Sequence, residues 1–158
     1  MAPRRPVVVA ALCALGVAIA GGLTTDVGPW YRSLAKSPLT PPDWVFAPAW
    51  MLIYALAVLA AVDGWRALRT RREQAWLLSL FFVNAVLNVL WSTVFFAARR
   101  PDWAMAELIT LWASVLALIV FLWPRARVGA ILLLPYLLWV TFAGYLNYEI
   151  LVRNGPFA

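Results

Sequence analysis

Residues 30–50 read WYRSLAKSPLTPPDWVFAPAW. Four of the chain's eleven prolines (Pro38, Pro41, Pro42, Pro48) and three of its ten tryptophans (Trp30, Trp44, Trp50) fall within this stretch. Proline removes a backbone donor, fixes φ and pushes the preceding residue toward extended geometry. Ser37 to Pro42 is therefore not regular helix. Strongly apolar segments lie on both sides, so the stretch must interrupt them as a stiff, tryptophan-rich connection at a membrane face. Such a connection is either a spacer or a lid over a site.

Outward from it, the chain divides into apolar blocks. Of its 158 residues, 65% are hydrophobic and only 13% charged. About 20 apolar residues cross a bilayer as helix, and five blocks reach or approach that length: about 7–23, 45–65, 75–98, 103–123 and 128–152, with the proline-rich loop over 24–44. The prediction is one all-α membrane domain over 1–158, a five-transmembrane-helix bundle with no room for a soluble domain. The first block has a second reading, because Arg4 and Arg5 ahead of an apolar core ending in Ala18-Ile19-Ala20 resemble a signal peptide. Short second, third and fourth connections predict that sequential helices are antiparallel neighbours. Pro48 is expected in the first turn of the second helix, and Pro135 is expected to kink or loosen the fifth.

The net charge of +6 is almost wholly arginine, placed at block ends. This reads as topology and headgroup contact rather than nucleic-acid binding. Arg4, Arg5, Arg66, Arg69, Arg71, Arg72, Arg125 and Arg127 fall on the N-terminal side, and Arg32, Lys36, Arg99, Arg100 and Arg153 on the other, favouring an N-terminus inside. There is no histidine, no glycine-rich phosphate loop and a single cysteine, Cys13, so metal, phosphate and disulfide chemistry have no obvious carrier. Glu107 and Glu149 are the acids that could sit at depth, where an ionisable group is a candidate for proton or ion transport; both could also reach an interface by snorkelling.

The polar and aromatic residues inside the blocks point to binding instead. Asn84, Asn88 and Trp91 share one helical face and are followed by Phe95 and Phe96; the last block adds Tyr136, Trp139, Tyr145, Asn147 and Tyr148. Buried amides and indoles in lipid want partners, so inter-helix hydrogen bonding is the simplest role, above all for Asn84. The alternative is a pocket with aromatic walls and a few polar groups. Asn88, Trp91 and Trp139 would line it with Trp50 and Tyr54, under the proline-rich loop. Leu146, Tyr148 and Arg153 also fit a short pattern proposed for sterol contact, a weak pattern on its own.

These residues resemble the TspO/MBR family, the translocator proteins or peripheral-type benzodiazepine receptors. The resemblance runs from Trp30-Tyr31 to Asn154. It rests on Trp30, Tyr31, Leu34, Lys36, Pro41, Pro42, Trp44, Val45, Phe46, Pro48, Trp50 and Tyr54, then Asn88, Trp91, Phe95 and Phe96. Pro135, Tyr136, Leu137, Trp139, Phe142, Ala143, Leu146, Asn147 and Tyr148 complete it. The resemblance implies a membrane receptor or sensor, usually a homodimer, that binds porphyrins, sterols and benzodiazepine-type drugs under a loop acting as lid, and that moves tetrapyrroles or influences their efflux. It implies ligand contacts at Phe46, Trp50, Tyr54, Asn88, Trp91, Trp139, Ala143 and Leu146, with porphyrin as ligand rather than cofactor. Small residues on the first helix (Gly16, Ala20) and third (Ala85, Ala97, Ala98) allow dimerisation without selecting a face. The family also implies light-driven porphyrin degradation through a loop tryptophan and the one matching Trp139. Here Leu39 stands where the loop tryptophan belongs, which argues for binding over catalysis. An arginine-, alanine- and leucine-rich composition fits a bacterial cell envelope, outer or inner membrane left open.

Overall fold

The structure, a computed structural model, describes residues 4–157 and is helical over nearly all of the predicted blocks. The side chains of Arg4 and Arg5, which entered the charge comparison, lie outside the described ones. The elements are α1 (Arg4–Thr24), α2 (Pro29–Ser33), α3 (Asp43–Ala67), α4 (Arg71–Ser92) running into a π-helical turn at Thr93–Ala97, α5 (Pro101–Leu122), α6 (Arg127–Leu132) and α7 (Leu134–Asn154). Among the described residues, and counting α6 and α7 together, five helical segments are long and apolar enough to cross a membrane.

Local chemistry accounts for the helix ends. Thr70 and Glu73 form a capping box: Glu73 N–H donates to Thr70 Oγ1 at 3.2 Å and Thr70 N–H donates to Glu73 Oε2 at 3.3 Å. Pro101 opens α5, where its missing donor costs nothing. Pro42 caps α3, so that helix starts at Asp43, earlier than predicted, and Pro48 lies inside it rather than in its first turn. Proline in that position leaves the carbonyl of Trp44 without its helical partner. Pro135 does more than kink the last span. The helix breaks at Leu133 and restarts at Leu134, which gives Pro135 a place in the first turn of α7.

One stripe of α5 forms the centre of the bundle. Ala104, Leu108, Leu111, Val115, Leu118 and Leu122 recur every three or four residues and are all buried. This stripe faces α4 on one side and α6–α7 on the other, while α1 lies against α3 and α4. The order around the bundle is therefore α1, α3, α6–α7, α5, α4. The expectation of sequential neighbours fails for α3 and α4. Only a short link joins them, yet they make little contact along their length, because α1 packs on both and a cavity takes up the space between their upper halves. Gly129 shows how close the helices come elsewhere. Its N–H donates to Asp63 Oδ2 at 2.8 Å, and a Cβ there would sit 3.0 Å from the carbonyl oxygen of Ala60.

The proline-rich loop crosses the top of the bundle. Its short helix α2 buries Tyr31 against Phe95 and Phe96, and Lys36 Nζ lies 4.3 Å above the Tyr31 ring. Ala35 pairs with Asn154 through two 2.8 Å bonds: its N–H donates to Asn154 Oδ1, and Asn154 Nδ2 donates to its carbonyl. Ser37 Oγ lies 3.2 Å from Tyr145 Oη. The loop is thus fastened to α4 and α7.

Candidate functional site

Beneath the loop is a cavity of about 410 Å³, within the range that holds one drug-sized ligand. Its walls come from the loop-side halves of α1, α3, α4 and α7. All eight predicted contact residues line it: Phe46, Trp50 and Tyr54 from α3, Asn88 and Trp91 from α4, and Trp139, Ala143 and Leu146 from α7.

Aromatic rings make up two of the walls. On the α3–α7 side, Trp50 stacks on Tyr54 at 5.5 Å and meets Trp139 edge-on at 6.5 Å, and Phe46 meets Trp139 edge-on at 5.9 Å. On the α4 side, Trp91 stacks on Phe95 at 5.2 Å and Phe96 stands edge-on to both. The π-helical turn is what brings Phe95 and Phe96 to the same cavity. A wider helical turn places i+4 and i+5 on either side of the line through residue i, and π-turns concentrate at functional sites.

The floor is a one-directional chain of hydrogen bonds. Tyr54 Oη donates to Asn88 Oδ1 at 2.8 Å, and Asn88 Nδ2 donates to Tyr136 Oη at 3.0 Å. Tyr136 Oη donates to Asn84 Oδ1 at 3.2 Å, and Asn84 Nδ2 donates to Ser114 Oγ at 2.9 Å. Ser114 Oγ closes the chain on the carbonyl of Leu111 at 2.7 Å. The chain ties α3, α4, α5 and α7 together, so Asn84 has the inter-helix role its sequence position predicts. It also occupies both ends of the Asn88 amide, which leaves that side chain little freedom to reorient toward a ligand.

Some buried polar atoms have no partner among the described residues: Trp91 Nε1, Asn147 Oδ1 and both carboxyl oxygens of Glu107. Trp91 and Asn147 line the cavity, and Glu107 does not. Glu149, the other acid considered for depth, pairs with Arg153 at 2.7 Å. The sterol-pattern residues are not brought together: Leu146 is buried in the cavity wall, Tyr148 is 54% exposed on the outer face, and Arg153 is held by Glu149. Leu39 is exposed on the loop and Thr40 lines the cavity in its stead. Tyr31 closes the top. Burial foremost, and then the nearby charge of Asp43, push its hydroxyl up to about 12, so it stays neutral across the physiological range.

Sequence reasoning missed the wall from α1, formed by Ala18, Gly21 and Gly22 and continued by Thr25 just past its end. Small residues in an apolar run carry no periodic signal that separates a cavity wall from a lipid face. Asn147 belongs to the resemblance but not to the predicted contact set, although its spacing of four from Ala143 puts both on one face.

Comparison with known proteins gives matches over most of the chain. The TspO/MBR family model matches residues 8–153. The tryptophan-rich protein TspO of Archaeoglobus fulgidus is 34% identical, covering 91% of this chain and 94% of its own length. The CrtK protein of Rhodobacter capsulatus is 37% identical over 83% of this chain and 82% of its own. The translocator protein of Bos taurus is 35% identical over 79% of this chain and 75% of its own.

Proposed function

The chain belongs to the TspO/MBR family, and from that premise we propose that it is a membrane receptor or sensor that takes a tetrapyrrole, porphyrin first among them, or a related flat apolar molecule, into the cavity under the proline-rich loop. The observation behind this reading is the cavity itself, with two aromatic walls over a floor of mutually satisfied hydroxyls and amides. Aromatic faces favour a flat π-system, and a floor that already satisfies its own hydrogen bonds asks for little polar contact from the ligand. Names such as translocator protein and tryptophan-rich sensory protein among the relatives fit a sensing or translocating role. A homodimer in the bilayer of a bacterial cell envelope is part of the proposal, and Cys13, exposed on α1, offers a crosslinking site to test it.

Binding without degradation is the form of the proposal, because Leu39 replaces the loop tryptophan and points away from the cavity lining. The test is a dark titration of purified protein with protoporphyrin IX, followed by tryptophan quenching and then by the Soret band under illumination. Saturable quenching with a stable band is expected. Absence of saturable quenching would refute the ligand class, and light-driven loss of the band that Trp139→Phe suppresses would convert the reading to an enzyme.

A further inference from the structure

Among the described residues that line the cavity, one carries a charge: Asp43, in the first turn of α3. Steps of three, four and four residues lead from it to Phe46, Trp50 and Tyr54, so it continues the cavity-facing stripe of α3 up to the rim. Asp43 is exposed there, and its charge is felt at the Tyr31 hydroxyl. The other acids at this end of the bundle are engaged. Asp102 pairs with Arg100 at 2.6 Å, Glu149 pairs with Arg153 at 2.7 Å, and Asp26 Oδ1 accepts from Gly28 N–H at 2.8 Å. No hydrogen bond or ion pair among the described residues engages the oxygens of Asp43. The cations of this end do not line the cavity: Lys36 lies over the Tyr31 ring, Arg99 lies 5.9 Å from the centre of the Trp30 ring, and Arg32 is exposed on α2. A first-turn acid complements the helix dipole, and that role leaves both oxygens open to a ligand.

We infer that Asp43 selects ligands by charge: its carboxylate receives an ammonium or amidinium group carried on a flat apolar frame and disfavours a frame that carries a carboxylate. The frame lies between the aromatic walls while the cationic head stays at the rim and donates to Asp43. The Phe46 ring, one turn below, adds attraction for a cation and none for an anion. Low-dielectric walls on either side concentrate the field of an unpaired charge. The floor has no counterpart, because Tyr54, Asn88, Tyr136, Asn84 and Ser114 are neutral and satisfy one another. The inference rests on the proposal above that the cavity is the ligand site, and it adds a preference in ligand charge that the aromatic walls alone do not specify.

Pyrene probes hold the frame constant: 1-pyrenemethylamine is cationic and 1-pyrenecarboxylate is anionic. Each is titrated by tryptophan quenching into the full chain in nanodiscs of zwitterionic lipid. The amine-to-carboxylate affinity ratio is then compared between protein variants, so that partition of the probes into lipid cancels. The ratio is expected to fall about tenfold from the parent chain to Asp43→Asn at low salt, because one charge at a solvent-accessible rim is worth about threefold to each probe in opposite directions. Asp43→Glu retains the charge and should retain the ratio. Asp26→Asn removes a charge from the loop outside the cavity while keeping the acceptor for Gly28 N–H, and it should retain the ratio as well. An equal ratio in the parent chain and Asp43→Asn would overturn the inference. The same fall in Asp26→Asn would overturn it too, since the preference would then belong to the field of the whole face. Should Asp43→Asn fail to fold, the parent chain decides: its ratio must shrink between about 50 mM and about 1 M salt, and a ratio unchanged over that range would overturn the inference. Protoporphyrin IX run in parallel separates the two claims. Saturable porphyrin binding without a charge preference removes the role of Asp43 and leaves the cavity reading, whereas failure of every ligand to quench saturably removes both.

Discussion

The pairing of Asn154 with Ala35 makes a quantitative prediction about access to the cavity. Asn154 terminates α7, and its side chain holds the loop by two 2.8 Å hydrogen bonds to the Ala35 backbone while Nδ2 also donates to the Ile150 carbonyl at 2.9 Å. Asn154→Ala removes both loop bonds and leaves the ring contacts of Tyr31 and the Ser37–Tyr145 pair in place. A net hydrogen bond is worth about 0.5–1.5 kcal/mol, and both bonds of this pair are exposed to solvent, which puts them at the low end, so the loss is about 1–2 kcal/mol of loop closure. That corresponds to about a 5- to 30-fold rise in the open population. Amide exchange of the segment spanning α2 to Thr40, measured in nanodiscs, should accelerate by that factor, and the dissociation rate of a bound porphyrin should rise with it. Asn154→Asp keeps the acceptor for Ala35 N–H but no donor and should fall between the two. Unchanged exchange in Asn154→Ala would refute the clasp. Acceleration spread evenly over all five spans would refute it as well, since the residue would then be holding the bundle rather than the loop.

Three further outcomes follow from the packing. Asn88→Leu leaves the Tyr54 hydroxyl without its acceptor and takes from Tyr136 its donor, so thermal unfolding should show a loss of about 1–3 kcal/mol together with weaker porphyrin quenching; an unchanged melting temperature would mean that the floor chain contributes no stability. Gly129→Ala drives a methyl against the Ala60 backbone, which cannot rotate away as a side chain could, and should destabilise by about 1–3 kcal/mol without altering ligand affinity. Glu107→Leu removes two buried carboxyl oxygens that have no partner among the described residues and should raise the melting temperature, by about 1 kcal/mol of stability; a fall would show that the carboxyl is paired in the bilayer.

Much of this architecture was legible in the sequence because lipid imposes few choices. Apolar blocks of spanning length, bounded by arginine and proline, define the five spans, whereas the central stripe from Ala104 to Leu122 emerges only in the packing, because the rest of that block is nearly as apolar. The aromatic face of Asn88, Trp91 and Phe95 was legible from its spacing. Tertiary competition decided the rest. Local preference at Pro135 allows either a kink or a restart, and the position of Leu133, fully buried against the core, settles it as a restart. The π-turn at Thr93–Ala97 has no composition signal, yet it controls which phenylalanines reach the cavity. Loop length suggests that α3 and α4 pack side by side, and the wedge of α1 with the cavity behind it keeps them apart. Asn147 could be seen as polar and inward, but which of its amide atoms stays free depends on Pro101, forty-six positions away.

The central claim, that flat apolar ligands occupy this cavity, is tested most directly by filling it. Ala143 lies in the α7 wall one turn beyond Trp139, and Ala143→Trp places an indole in the space assigned to the ligand. Protoporphyrin IX affinity of this variant should fall at least a hundredfold while its melting temperature stays within a few degrees of the parent chain. Undiminished affinity in a folded Ala143→Trp protein would place the ligand elsewhere and contradict the account.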